Sequence, residues 1–196
     1  MGLRLWRLSV DFCNSTLSEK SMRNLIESKD LNFDLIIMEA VFSDCFLQFG
    51  HKFKARIIKF CTFGGTHWMG YWVGNPSPFS YVPYGFSDFN DRMGFWERFL
   101  NTFYGIFFHL GRQFYFLPRM EKVVRPFFKE ADSSLPHLSE LDATSTDLLL
   151  LNSHFSISYP RPLMPNVIQV GGLHVTEPNK LPEVSTLKIK IMVNLR

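Results

Sequence analysis

The sequence is poor in cysteine, in net charge and in long apolar runs, and each shortage narrows what the chain does. Three cysteines, Cys13, Cys45 and Cys61, stand among 196 residues. They are too few and too widely spaced for a disulfide framework or a zinc site, and the odd count leaves at least one thiol unpaired within the chain. Lys plus Arg number 21 against 18 Asp plus Glu, a formal charge of +3. The basic residues are scattered, which argues against nucleic acid as a partner. The longest apolar candidate is interrupted by Asn101, His109 and Arg112, so no stretch reaches the roughly 18 clean apolar residues of a membrane span. The opening Met-Gly-Leu-Arg-Leu-Trp-Arg is no signal peptide, because Arg4 and Arg7 break its apolar run. It also lacks the hydroxyl residue that a myristoylation signal needs. On these grounds alone the chain is cytosolic by default, and no internal repeat is visible.

What is abundant is aromatic. Phenylalanine occurs 21 times, hydrophobic residues make up 46% and charged residues 20%, which suits one globular core rather than a disordered chain. Thr16 to Ser28 reads as a helix, with Thr16 as cap and Glu19 completing a capping box. The same stretch holds the sequon Asn14-Ser-Thr16, which overlaps the proposed cap. Phe33–Met38 is a short continuous apolar run that predicts a strand buried on both faces. Val41–Phe53 would be the crossover helix and Arg56–Cys61 the second strand, a βαβ unit that makes the fold class α/β. Glycines and prolines between Cys61 and Asp88 predict loop.

Apolar residues from Phe95 to Phe114 then recur every three or four positions, predicting a long helix over Asn90–Phe116 with a wide apolar stripe. That stripe suits core packing, a share in an apolar pocket, or interfacial contact with a bilayer. Leu138–Leu141 is a short helix, Asp147–Asn152 a third strand and Asn166–Val170 a fourth. Thr186–Arg196 alternates apolar and polar residues, as an isolated strand would.

Two stretches carry more than a generic α/β pattern. One runs from Asn152 to His174 (NSHFSISYPRPLMPNVIQVGGLH); the other is Tyr81-Val-Pro83 followed by Asp88 to Phe99. Both resemble the N-terminal half of animal UDP-glycosyltransferases, the family that includes the UDP-glucuronosyltransferases, and the likeness covers roughly residues 1–182. It implies a GT-B fold of two Rossmann-like halves, of which this chain is an incomplete acceptor-binding half, with 183–196 a divergent tail. The implied reaction is inverting transfer of a hexosyl or glucuronosyl group from a UDP-sugar, a co-substrate, to a small lipophilic hydroxyl acceptor. A His base takes the acceptor proton and an Asp holds the other ring nitrogen.

The resemblance further implies a parent enzyme on the lumenal side of the endoplasmic reticulum membrane, active in detoxification. No metal or other cofactor is implied. The segments that would carry the His and the sugar-nucleotide site are not in the sequence. The expectation is therefore an inactive chain without measurable UDP-sugar affinity, one that binds hydrophobic ligands or pairs with full-length relatives. Produced alone, it would aggregate or stay loosely packed.

Carried over residue by residue, Glu39 falls where the family has its catalytic Asp, one methylene too long. Asp44, in the helix that follows, competes for the role. Either is equally readable as a solvated acid that favours a helix start. Phe63, Gly64, His67, Trp68 and Tyr71 lie in and just after the loop that borders the acceptor cavity in the family and are candidate acceptor-binding residues. His67 also reads as an ordinary loop histidine. His51, beside Lys52 and Lys54 at a helix end, reads as a cation favoured there rather than as a substitute base, and His109, His137, His154 and His174 show no metal-ligand spacing. Gly64-Gly65 and Gly171-Gly172 lack the third glycine of a phosphate cradle.

Overall fold

The computed structural model of the chain describes residues 2–129, 134–156, 158–159 and 161–176. The boundary expected at 182 and the strand expected over 186–196 lie outside these residues. Four parallel strands form one sheet in sequence order: β1 (Leu35–Glu39), β2 (Arg56–Cys61), β3 (Thr146–Leu151) and β4 (Val167–Gln169). Glu39 stands beside Phe60, Cys61 beside Leu151 and Leu149 beside Val167. With helices between β1 and β2 and between β2 and β3, this is the expected α/β, Rossmann-like arrangement. All four sequence-predicted strands that fall on described residues are present, within two residues of the predicted bounds.

Alternation along the strands separates two faces. Met38, Ile57, Lys59, Cys61, Leu149, Leu151 and Val167 are buried, while Leu35, Ile37 and Ile168 on the opposite face are exposed. Ile37, 66% exposed, shows how open that face is. The expectation that β1 is buried on both faces therefore fails. Among the described residues β1 is an edge strand, and none of their helices packs over its outer side.

The helices are α1 (Gly2–Ser18), α2 (Lys20–Glu27), α3 (Leu47–Phe53), α4 (His67–Val73), α5 (Phe95–Gly111), α6 (Leu117–Phe128) and α7 (Leu138–Thr144). The helix predicted to begin at Thr16 starts instead at the N-terminal end of the chain. Trp6, Val10, Cys13 and Leu17 form a stripe at helical spacing, and Cys13 and Leu17 are fully buried against Met120 and Val124 of α6. Thr16 thus lies inside a helix with nothing to cap. The break comes at Glu19, whose N–H donates to the Thr16 carbonyl at 3.1 Å and whose side chain makes no cap hydrogen bond.

The crossover after β1 also starts later than predicted. Phe42 takes a left-handed φ of 63°, a 3-10 turn spans Asp44–Phe46, and regular helix begins only at Leu47. A disulfide between Cys13 and Cys45 joins α1 to this turn, leaving Cys61 as the free, buried thiol. Within the stretch predicted as loop, α4 forms because Met69, Trp72 and Val73 find burial beside Leu149 and Leu151 of β3. Gly74, at φ 68°, closes it.

The aromatic helix departs furthest from expectation. It runs as α5, passes through a π-turn at Arg112–Phe116 and continues as α6. Within α5 only Asn101 and Gly105 are buried. The core-packing reading of the stripe is overturned: Trp96 is 71% and Phe114 79% exposed, and Phe95, Phe99, Phe103 and Phe107 are exposed as well. α5 touches the body along a thin seam. At Gly105 an added Cβ would run into the Phe79 ring, so glycine permits the close approach. Asn101, read from sequence as an interruption, is the anchor. Its Nδ2 donates to the carbonyls of Phe79 at 2.7 Å and Val82 at 2.9 Å, and its Oδ1 accepts from the Tyr84 N–H at 2.6 Å. No helix of the described residues is long and apolar enough to cross a membrane.

Candidate functional site

In parallel α/β sheets ligands gather beyond the carboxyl ends of the strands, and a cavity of about 250 Å³ opens there. Ala40, Val41 and Phe42 enter it directly from β1, Phe63 from the end of β2, and Trp68 from α4. Tyr84 and Phe86 come from the loop that Asn101 holds, Phe108 and Phe116 from the aromatic helix, and Leu5, Trp6 and Ser9 from α1. The rings are mutually braced: Trp6 stacks on Phe116 at 5.8 Å, Tyr84 on Phe108 at 5.0 Å and Trp68 on Phe86 at 6.1 Å. Such a lining, mostly apolar with a few fixed polar groups, suits a lipophilic small molecule.

The polar groups of the wall are Ser9, Asp44 and Arg112. Arg112 Nη2 lies 2.5 Å from Asp44 Oδ1 and 2.6 Å from Asp142 Oδ1, and its Nε is 3.2 Å from Asp142 Oδ2. All three side chains are buried. Burial opposes the Arg112 charge, yet the two carboxylates outweigh it and raise its pKa above the usual arginine range. This two-carboxylate clamp ties the 3-10 turn after β1, the π-turn after α5 and α7 into one wall. An arginine inside a phenylalanine-rich helix was its one sequence signal, while Asp142 gave none.

Behind the wall stands Lys59, fully buried, with Nζ 3.5 Å from the centre of the Trp72 ring. Burial lowers its pKa to about 8 despite the pull of Asp142 and Asp44. Between about pH 8 and 10.5 the unfolded chain holds a proton that the folded chain has released, so stability rises with pH through that window and falls again as pH drops through 8. The gain is on the order of 3 kcal/mol. Urea denaturation at a series of pH values is expected to show the loss of this contribution in Lys59→Met, whose stability should instead fall as pH rises through the window, because burial raises the pKa of Cys61 and of Tyr84.

The sequence-predicted site residues are distributed as follows. Phe63 and Trp68 line the apolar cavity together. Asp44 is in its wall, already paired with Arg112. Glu39 closes β1 one residue before the cavity; its Oε1 is buried without a hydrogen-bond partner, while its backbone carbonyl accepts from Ser43 Oγ. Gly64 faces a second, polar cavity. His67 is buried between Phe79, 4.7 Å away ring to ring, and Tyr84, and burial lowers its pKa to about 4, which keeps it neutral. Tyr71 is exposed and packs 4.4 Å from the His109 ring. Phe108 and Phe116 give the aromatic helix its expected share in an apolar pocket, whereas Trp6, Ser9, Tyr84 and Arg112 were not predicted as site residues. Among the described residues no histidine lines the apolar cavity, and no group of three or more His, Cys, Asp or Glu is placed to hold a metal ion.

The sequence of the chain resembles known proteins along most of its length. The family model described as UDP-glucoronosyl and UDP-glucosyl transferase matches residues 4–190. UDP-glucosyltransferase 2 of Dactylopius coccus is 36% identical over 178 residues, 90% of this chain and 33% of that protein. UDP-glucuronosyltransferase 3A1 of Mus musculus is 32% identical over 172 residues, 87% of this chain and 31% of that protein. The 2-hydroxyacylsphingosine 1-beta-galactosyltransferase of Rattus norvegicus is 33% identical over 127 residues, 64% of this chain and 23% of that protein. The chain thus spans about a third of the length of these insect and mouse relatives. No solved structure matches it significantly.

Proposed function

The chain belongs to the UDP-glucuronosyl and UDP-glucosyl transferase family, and from that premise we propose that its apolar cavity holds the lipophilic hydroxyl acceptor of a glycosyl transfer. The observation that carries this is the cavity itself, a ring of braced aromatic side chains at the carboxyl ends of β1 and β2. In the transfer, the acceptor oxygen attacks the anomeric carbon of a UDP-sugar, UDP leaves from the opposite face, and a base takes the acceptor proton. No histidine among the described residues lining the cavity serves as that base.

Glu39 is the carboxylate we assign to orient that base. Its Oε1 is buried and unpartnered, a costly state unless a donor arrives, whereas Asp44 is consumed by Arg112. Asp44 then serves the wall. A second reading, capture of the ligand without transfer, is favoured by the absence of a histidine among the described residues lining the cavity. The Cys13–Cys45 disulfide supports an oxidising compartment such as the lumen of the endoplasmic reticulum, in place of the cytosolic default.

Quenching of tryptophan emission by 4-nitrophenol tests the cavity, because Trp6 and Trp68 both line it. Saturable one-to-one quenching is expected in the wild type. Val41→Phe, which fills the space, is expected to weaken it at least tenfold. Equal affinity in the two proteins would overturn the assignment.

A further inference from the structure

The loops that leave β2 and β3 enclose a second cavity of about 230 Å³, separated from the apolar one by Tyr84, which borders both. Its lining is mixed: Tyr81, Ser87, Ser158 and Tyr159, the Gly64–Gly65 turn and Arg161 stand beside Val82, Pro83, Tyr84 and Phe89, with no Asp or Glu among them.

Arg161 is the informative group. It is half-buried, and its hydrogen bond from Nη2 goes to the Gly64 carbonyl at 3.3 Å. No carboxylate among the described residues pairs with it, in contrast to Arg112 with two. Its desolvation is strong enough to lower its pKa from the ordinary arginine value. A cation taken partly out of water is normally matched by a negative partner, because the desolvation cost is otherwise uncompensated. The loop backbone also runs close by: Gly65 sits at φ +53°, which glycine adopts without strain, and a Cβ there would stand 2.9 Å from Arg161 Nη2 and 3.0 Å from Leu151 Cδ2.

We propose that this second cavity is a binding site for an oxyanion, held by Arg161 and carried on a small hydroxylated ligand. The guanidinium fork suits a phosphate or a carboxylate equally, and the surrounding hydroxyls suit the ring that bears it. A phosphate would come from a nucleotide, a carboxylate from a sugar acid. The site does not depend on what fills the apolar cavity.

Amide NMR shifts of the full chain, titrated separately with inorganic pyrophosphate, UDP and D-glucuronate, test the proposal. Saturable shifts confined to Gly64, Gly65 and Ser158 are expected. Pyrophosphate and UDP acting without glucuronate would identify a phosphate, and glucuronate acting alone a carboxylate. Arg161→Gln is expected to weaken binding at least tenfold while leaving quenching by 4-nitrophenol unchanged. If Arg161→Gln does not fold, Arg161→Lys, which keeps the charge without the planar fork, is expected to weaken it at least threefold. No saturable shift with any of the three probes, or unaltered affinity in the variant that folds, would overturn the proposal.

Discussion

Glu39→Gln is expected to lower turnover about a thousandfold, with KM for a phenolic acceptor little changed, once the chain is completed with the parts of a relative such as UDP-glucosyltransferase 2 that supply both the base histidine and the UDP-sugar site. Where a carboxylate orients a catalytic imidazole, exchanging it for an amide inverts the tautomer preference and costs on the order of 10⁴ in turnover while leaving geometry intact. The longer Glu side chain argues for a somewhat smaller loss here. Glu39→Asp, which keeps the carboxylate and shortens the side chain by one methylene, is expected to stay active. Asp44→Asn should behave differently, because Asp44 is engaged with Arg112 at 2.5 Å: its loss should appear as reduced stability and raised KM. Steady-state kinetics of the three variants checks the assignment. A pure turnover defect in Asp44→Asn with a silent Glu39→Gln would exchange the two roles.

Arg112→Met is expected to cost about 4 kcal/mol of folding stability. Asp44 and Asp142 are both buried, and the substitution leaves two carboxylates without their counter-charge; removal of one partner from a buried ion pair typically costs roughly 3–5 kcal/mol. Because Arg112 also lines the apolar cavity, acceptor binding should fall with it. Adding Asp44→Asn and Asp142→Asn should recover much of the loss, since the three groups act as a unit and single-site effects do not add. Chemical denaturation at neutral pH reads both effects. A loss below about 1 kcal/mol, the range of an exposed pair, would show that the clamp is not buried in solution.

The sheet was legible because its signal is local. Short apolar runs of strand length, bounded by Gly, Pro or polar residues, identified β1 through β4 with no knowledge of their partners. The motif from Asn152 to His174 was legible for the same reason, being contiguous. What the sequence hid depends on distance along the chain. Cys13 and Cys45 bond across a separation of 32 residues, and nothing in their spacing announces it. Arg112 reaches Asp44 and Asp142 across separations of 68 and 30.

Burial was hidden too. A stripe of phenylalanines at helical spacing fixes a helix and an apolar face, but whether that face meets a core depends on what lies opposite, and for α5 no described element does. The reading of Thr16 as a cap failed for a related reason. A good capping residue is informative only if no helix already runs through it, and Trp6, Val10, Cys13 and Leu17 had already set one.

One measurement separates the cavity from every other greasy surface of the molecule, above all the exposed outer side of α5. Intermolecular NOEs between the ring protons of bound 4-nitrophenol and assigned aromatic side chains report which rings the ligand touches. Contacts to Phe63, Trp68 and Phe108, with none to Phe95, Phe103 or Phe107, are the predicted result. Contacts confined to the exposed rings of α5, with the cavity residues silent, would contradict the claim that the apolar cavity holds the acceptor.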